Sequence, residues 1–114
     1  MDYDKQTELL RAQFSETRKL LAAIGDDTRQ RIIMVLAKSN CEGMRVGEIT
    51  AQTHLSRPAI SHHLKILRDE EVVGVFSEGT KNFYFLKLEG KWQTLVSLIN
   101  HIEQLRAEFG GEKS

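Results

Sequence analysis

Hydrogen-bond donors line one side of a helical segment in the middle of the chain. The segment runs from Ser56 to Val73 and reads SRPAISHHLKILRDEEVV. At about 100° per residue, Ile60, Leu64 and Leu67 fall on one apolar face. The opposite side carries Arg57, Ser61, His62, Lys65 and Arg68. Such donors suit the acceptors that DNA offers in its major groove and phosphates, although an ordinary solvated amphipathic helix has the same pattern.

The start of this segment carries the signals of a helix N-terminus. Ser56 can serve as the N-cap, because its hydroxyl can accept a hydrogen bond from a free backbone N–H of the first turn. Pro58 falls in that turn, where a missing N–H costs nothing. We therefore expect a helix that begins after Ser56 and presents its donor side to an anionic, acceptor-rich partner.

The adjacent histidines His62 and His63 raise the question of metal binding or catalysis. Adjacent residues on a helix point about 100° apart, so this pair does not form a chelating site. We expect His62 to lie on the donor side and His63 to pack or to form a hydrogen bond within the domain. The sequence places no base and orienting acid beside Cys41 or any serine, so it does not indicate nucleophilic catalysis.

Composition limits the possible classes of protein. The chain has 114 residues, one cysteine and a formal net charge of zero. This predicts a single domain over residues 1–114 without an intrachain disulfide, and any basic surface on it must be local. Since there is neither a signal-peptide core nor an apolar run of transmembrane length, we expect a cytoplasmic protein with no membrane partner.

The first third of the chain is predicted to form two helices. The apolar spacing up to Ile24 is helical, and Gly25 ends that helix. Asp26 can cap a second helix that runs to Ser39 and buries Ile32, Ile33, Val35 and Leu36. Both helices precede the donor-faced segment.

A helix-turn-helix is predicted in the middle of the chain. Residues 39–45 form a loop, and residues 46–54 form a short helix. A tight turn at Leu55 then leads into the donor-faced helix. Two short helices, a tight turn and a donor-faced helix describe a helix-turn-helix, with its core at about residues 46–70.

A β-hairpin is predicted directly after the helix-turn-helix, at about residues 72–88. Two β-prone runs flank the Gly-containing polar loop 77–82. Lys81 and Asn82 at the tip of that loop suit contacts with phosphate or the minor groove. A hairpin in this place is called a wing. The predicted order is ααααββα, which is mainly α with one hairpin and lacks the βαβ units of a catalytic α/β fold.

A long amphipathic helix is predicted over residues 90–109. Many of its apolar residues repeat at spacings of three and four, as in a coiled-coil seam, and Trp92 and Ile99 widen the stripe. The stripe could pack wholly on the chain's own core, but a domain this small gains most from pairing its terminal helices. The predicted homodimer interface contains Leu9, Leu10, Phe14, Trp92, Leu95, Leu98, Ile99, Ile102, Leu105 and Phe109.

These segments together resemble the ArsR/SmtB family of bacterial winged-helix repressors. The resemblance rests on DDTRQRIIMVL, on VGEITAQTHLSRPAISHHLKILRDEEVV and on EGTKNFYFL. It implies a winged helix-turn-helix homodimer joined by its first and last helices, in which the helix from Ser56 reads an operator in double-stranded DNA and the wing flanks it. The DNA-contacting residues are then Ser56, Arg57, Ser61, His62, Lys65, Arg68, Lys81 and Asn82.

The family's usual metal-ligand motifs are absent from this sequence. Its thiolate sensors carry a Cys-x-Cys pair on the helix before the reading helix, where this chain has residues 44–50 without cysteine. Its zinc sensors use paired ligands on the last helix, where this chain offers only His101, Glu103 and Glu108. We therefore predict no metal site, no cofactor, a solvated His101 and an unremarkable Cys41 thiol.

Two other functions stay open on the sequence alone. A winged helix can act as a protein-interaction module without specific DNA binding, which the neutral charge and the acidic run at residues 69–71 favour. A small metal- or thiol-dependent enzyme is the third class. Binding to the DNA upstream of the chain's own gene distinguishes a sequence-specific DNA-binding repressor from these two classes. The sequence indicates neither an operator nor an inducer.

Overall fold

The computed structural model describes residues 2–39 and 42–110. The elements, in chain order, are the helices α1 (Tyr3–Ile24), α2 (Asp27–Lys38), α3 (Val46–Thr53) and α4 (Arg57–Asp69), the strands β1 (Val73–Glu78) and β2 (Lys81–Leu86), and the helix α5 (Trp92–Leu105), which continues into a π-helical turn (Arg106–Gly110). This order confirms the predicted winged helix-turn-helix. No helix in the described part of the chain has the length and apolarity needed to cross a bilayer.

The core lies where α2, α3 and α4 meet the end of α1 and the start of β1. Ile60, Leu64 and Leu67 are all buried, so the apolar face of α4 is used entirely in this core. The polar face of α4 is thereby turned to the surface. The buried core cluster contains Leu20, Ala23, Ile32, Leu36, Met44, Ile49, Ile60, Leu64, Leu67, Val72 and Val73.

Local hydrogen bonds cap the helices where the sequence predicts that they begin. The hydroxyl of Ser56 accepts from the N–H of Ala59 at 3.2 Å, which confirms it as the N-cap of α4. The Asp26 carboxylate accepts from the N–H of Arg29 at 2.9 Å and caps α2 in the same way. Gly25 ends α1, as its position predicts.

The wing is tighter than the sequence pattern predicts. The two strands pair as far as Glu78 opposite Lys81, so only Gly79 and Thr80 form the turn. Gly79 has a φ of 62°, and a glycine at the first position suits the two-residue type II′ turn of a hairpin. Lys81 and Asn82 therefore begin β2 instead of lying in a longer loop, which corrects that prediction.

A short backbone pairing between Met44, in the predicted loop 39–45, and Tyr84 of β2 holds the wing to the rest of the domain. The N–H of Met44 donates to the carbonyl of Tyr84, and the N–H of Tyr84 donates to the carbonyl of Met44, both at 2.8 Å. This pairing depends on a partner forty residues away, so local composition does not reveal it. The ring of Phe85 also covers Gly74, where a Cβ would lie only 2.3 Å from the ring.

Helix α5 packs along α1 through a polar clamp around His101. The side-chain amide of Gln13 donates to the carbonyl of Ser97 at 3.4 Å, and its Oε1 contacts Nδ1 of His101. Nε2 of His101 lies 2.9 Å from Oε1 of Gln6. His101 is therefore half-buried between two amides and is not the solvated residue that the sequence predicts.

Candidate nucleic-acid interface

The donor side of α4 is exposed along the helix. Its predicted contact residues are Ser56, Arg57, Ser61, His62, Lys65 and Arg68, and every one of them is exposed. Nζ of Lys65 lies 3.4 Å from the carboxylate of Asp69, but both side chains are more than half exposed. An exposed ion pair of this kind contributes at most about 1 kcal/mol, so Lys65 remains available to a stronger anion such as phosphate.

His63 follows His62 in the chain, but its ring is turned toward the interior of the domain. Its Nδ1 is 3.3 Å from Nη1 of Arg29, and the ring is half-buried, as predicted for a packing or hydrogen-bonding residue. Because Arg29 can only donate, Nδ1 must accept and the proton of the neutral ring is on Nε2. Burial is the main cause of a lowered pKa for His63; the Asp26 carboxylate opposes it, while Arg29 and His62 add to it.

A polar groove lies between α3, α4 and the wing. Its volume is about 380 Å³. The guanidinium of Arg57 lies over Gly47, since a Cβ at that position would come within 2.9 Å of Nη2 of Arg57. Asn82 is oriented across the hairpin by the hydroxyl of Ser77, which donates to its Oδ1 at 2.6 Å. The groove is lined by Arg45, Val46, Gly47, Glu48, Arg57, Thr80 and Asn82.

Arg45 and Gly47 belong to this groove although the sequence pattern does not indicate them. The backbone N–H of Arg45 donates to the carboxylate of Glu48 at 3.0 Å, so that carboxylate is engaged in capping α3. The Arg45 side chain is exposed beside Arg57 in the same groove. A basic residue directly before a predicted helix was the available signal for Arg45. The proximity of Gly47 to Arg57 is tertiary and has no local signal.

Candidate metal ligands do not come together in the described structure. Within residues 2–39 and 42–110, no group of three or more His, Cys, Asp or Glu side chains could hold a metal ion. The predicted unremarkable thiol, Cys41, lies outside these residues. The absence of a metal site in the whole chain stays a prediction.

A second surface of the molecule is apolar and lies on the α1–α5 pair. The structure divides the predicted stripe of α5 into two parts. Leu98 is only 2% exposed and packs against α1, so it is not available to a partner, contrary to the prediction. Trp92 and Leu95 pack against the core cluster. On the neighbouring face of α5, Val96, Ile99 and Ile102 are exposed. We call these three residues, together with Phe14, the apolar face.

The remaining predicted interface residues fall on both sides of the α1–α5 pair. An apolar groove of about 520 Å³ continues the apolar face, and its lining includes Leu10, Ile102, Leu105 and Phe109. The ring of Phe109 packs against Tyr3 with 4.8 Å between centroids. Leu9 is 48% exposed but lines a different, more polar groove on the opposite side, with Gln13 and His101.

The central part of the chain matches a known family model. The model is described as a bacterial regulatory protein of the arsR family, and it matches residues 26–75. These residues contain α2, α3, α4 and the start of β1. The match therefore covers the helices that position the donor side, and not the terminal helices.

Similarity to individual proteins extends beyond that segment. The chain is 30% identical over 90 residues to an uncharacterised HTH-type transcriptional regulator of Methanocaldococcus jannaschii, which covers 79% of this chain and 98% of that protein. It is 32% identical over 82 residues to the transcriptional repressor SdpR of Bacillus subtilis, covering 72% and 88%. Its fold matches a homodimeric winged helix-turn-helix DNA-binding domain of Mycobacterium bovis with a TM-score of 0.60 at 21% identity, covering 86% of this chain and 87% of that one.

Proposed function

This chain belongs to the ArsR family of bacterial regulatory proteins and is a DNA-binding transcriptional regulator, and we propose that it acts as a homodimeric repressor at an inverted-repeat operator. The observation that carries the proposal is the exposed donor side of α4 beside an exposed wing. SdpR, 32% identical, is a repressor, which supports the direction of regulation. In this proposal the protein works in the cytoplasm, needs no resident metal or cofactor, and has no catalytic role.

The proposed contacts divide into reading and positioning groups. Ser61 and His62, at the centre of the exposed side of α4, would approach base edges in the major groove. The cationic side chains would contact phosphates, which position the protein without reading sequence. These phosphate contacts are proposed for Arg57, Lys65, Arg68 and, on the wing, Lys81; Ser56 and Asn82 complete the set.

A homodimer is proposed because the apolar face is exposed on a projecting pair of helices. The radius of gyration is 18.0 Å, whereas a compact domain of this length has about 13 Å. The apolar face shares Ile102 with the apolar groove beside it, and exposed apolar surface of this kind is typical of an interaction site. Pairing through a two-fold axis would bury it and would set the separation of the two α4 helices.

The protein-interaction alternative has weaker support. It depended on the neutral net charge and on the acidic residues 69–71. All three carboxylates lie near a lysine of the chain: Asp69 is 3.4 Å from Nζ of Lys65, Glu70 is 3.4 Å from Nζ of Lys91, and Glu71 is 3.7 Å from Nζ of Lys87. The donor side of α4 itself holds no carboxylate before Asp69. The neutral total charge is therefore compatible with a locally basic reading surface.

Selection from a pool of random duplexes tests this proposal. Purified full-length protein would be incubated with the pool at moderate salt, and bound duplexes would be amplified and sequenced. We expect an inverted repeat whose half-sites lie about one helical turn, roughly 34 Å, apart. Transcription from a promoter carrying that repeat should fall when the protein is added to a purified transcription reaction.

Each part of the proposal can fail separately. If no sequence is enriched over the starting pool, specific DNA binding is refuted. A single half-site without a repeat would contradict the symmetric dimer. Increased transcription would contradict the repressor assignment while leaving DNA binding intact.

A further inference from the structure

We propose that Arg29 is a positioning residue that fixes the angle between α1, which contributes Phe14 to the apolar face, and α4, the helix proposed to read DNA. The proposal rests on the proposed function, since it concerns how one DNA-binding dimer sets the spacing of its half-sites. Arg29 itself is on α2 and is outside the donor side of α4. Only 14% of its side chain is exposed.

Two of the guanidinium contacts hold the end of α1. Nε of Arg29 donates to the carbonyl of Ala23 at 2.7 Å, and Nη2 donates to the carbonyl of Ala22 at 3.2 Å. Carbonyls in the last turn of a helix lack partners within that helix. Arg29 therefore satisfies acceptors that would otherwise be open, and it does so from a fixed position, because its own N–H is bound by Asp26.

The third contact reaches the reading helix. Nη1 of Arg29 lies 3.3 Å from Nδ1 of His63. His63 immediately follows His62, the residue proposed to approach base edges, and precedes the buried Leu64. A guanidinium is planar and its five N–H groups point in fixed directions. One rigid group on α2 therefore fixes α1 and α4 relative to each other.

A small rotation at this junction has a large effect on the dimer. Helix α1 has 22 residues and is about 33 Å long at 1.5 Å per residue. Phe14 lies ten residues, or about 15 Å, from the end of α1 at Ile24. A tilt of about 6° would displace it by about 1.6 Å in each protomer, or about 3 Å over the two, which is close to the rise of one base pair. Because α1 contributes Phe14 to the apolar face, such a tilt would change the separation of the two reading helices.

Gln30 provides a matched control for a purely structural role. Its side-chain amide donates to the carbonyl of Ile24 at 2.8 Å, so it caps the same end of α1 from the next residue of α2. No contact from Gln30 to α4 occurs among the hydrogen bonds of the described residues. Gln30→Ala should therefore weaken capping without changing the angle between α1 and α4.

The experiment measures affinity as a function of half-site spacing. Synthetic duplexes would carry the half-site selected by the unaltered protein as an inverted repeat, with the central spacer changed one base pair at a time over one helical turn. The unaltered protein, Arg29→Lys, His63→Leu, His63→Gln and Gln30→Ala would each be titrated as folded full-length protein. Thermal unfolding and sedimentation would confirm that each variant folds and assembles as the unaltered protein does.

We expect the unaltered protein to prefer one spacing. Arg29→Lys and His63→Leu should lose about tenfold in affinity at that spacing and little at neighbouring spacings, so that the preference broadens or moves. Lysine keeps the charge but not the planar fork, and leucine removes the acceptor. His63→Gln, whose amide oxygen can still accept from Arg29, and Gln30→Ala should keep the preferred spacing.

Two outcomes would overturn the proposal, and they differ in what else they refute. If both Arg29→Lys and His63→Leu lower affinity equally at every spacing, or leave it unchanged, Arg29 does not position the reading helices, although the repressor proposal stands. If the unaltered protein shows no preferred spacing, both the symmetric dimer and the positioning role are refuted. Arg29→Lys and His63→Leu alter the same contact from its two sides. If one of these variants does not fold, the other still tests the proposal.

Discussion

Glu71 is held in a backbone conformation that normally favours glycine. Its φ is 60°, in the left-handed region. A non-glycine residue there costs about 1–2 kcal/mol. The carboxylate partly offsets this cost through Nζ of Lys87 at 3.7 Å, but both side chains are about two-fifths exposed, and such a pair contributes at most about 1 kcal/mol.

Glu71→Gly should therefore raise the free energy of unfolding by about 1 kcal/mol, because the relieved strain is larger than the lost ion pair. Denaturant unfolding at neutral pH measures it. Lys87→Ala removes the same ion pair without changing the backbone, and it should lower the free energy slightly. A loss of stability in Glu71→Gly larger than that in Lys87→Ala would contradict the assigned strain.

His63 should make folding stability depend on pH near neutrality. Burial lowers its pKa in the folded chain, so below about pH 6.5 the unfolded chain binds a proton at this ring more readily than the folded chain does. The free energy of unfolding should therefore decrease as the pH falls through 6.5. Asp26, whose pKa is lowered mainly by the hydrogen bond from the Arg29 N–H, loses its contribution only at lower pH.

Denaturant unfolding between pH 7.5 and pH 5.5 measures this dependence. His63→Gln should make the curve flatter in that interval. If His63→Gln has the same slope as the unaltered protein, His63 is not the titrating group.

At the scale of the elements, one substitution in the groove between α3, α4 and the wing should increase folding stability and decrease DNA affinity. Gly47→Ala adds a good helix former in α3, which should increase stability by about 0.5–1 kcal/mol. The new Cβ would lie 2.9 Å from Nη2 of Arg57, so the guanidinium must move from its position over residue 47. DNA affinity should then fall, and the dependence of log affinity on log salt should become less steep by about one phosphate contact.

Fluorescence anisotropy with one duplex at several salt concentrations measures the DNA affinity of Gly47→Ala and its salt dependence. Denaturant unfolding measures its stability. Arg57→Ala should give the same change in salt slope without the gain in stability. An unchanged slope in Gly47→Ala would mean that the position of Arg57 over α3 is not used in binding.

Local signals predict the helices better than the contacts between them. Ser56 and Asp26 predict their helix starts because a cap is a property of neighbouring residues. The Met44–Tyr84 pairing and the position of His101 between two glutamines depend on residues far apart in the sequence. The stripe of α5 shows the same limit. Periodicity predicts an apolar helix, but only the packing against α1 decides that Leu98 is buried and Ile99 exposed.

At the scale of the whole molecule, the apolar face should determine assembly. Ile99 is 51% exposed, so Ile99→Glu leaves the folded single chain nearly unaffected but places an unpaired charge in the proposed interface, at a cost of several kcal/mol. Sedimentation at micromolar concentration should show a monomer, and operator binding should be lost although no residue of α4 was changed.

Leu9→Glu is the matched control for this assembly test. Leu9 is 48% exposed on the other side of the same helix pair, so the variant should remain a dimer. Dissociation by both variants would mean that the interface extends around the pair. A dimeric Ile99→Glu variant would show that the apolar face is not the interface.

Whether the exposed side of α4 reads DNA sequence can be measured as one ratio of affinities. The ratio compares the selected operator with a shuffled duplex of equal length and composition. In His62→Ala the ratio should fall about tenfold, because a base contact contributes about 1–3 kcal/mol of discrimination. In Lys65→Ala both affinities should fall together, because a phosphate contact is independent of sequence. Equal affinity of the unaltered protein for both duplexes would contradict the account.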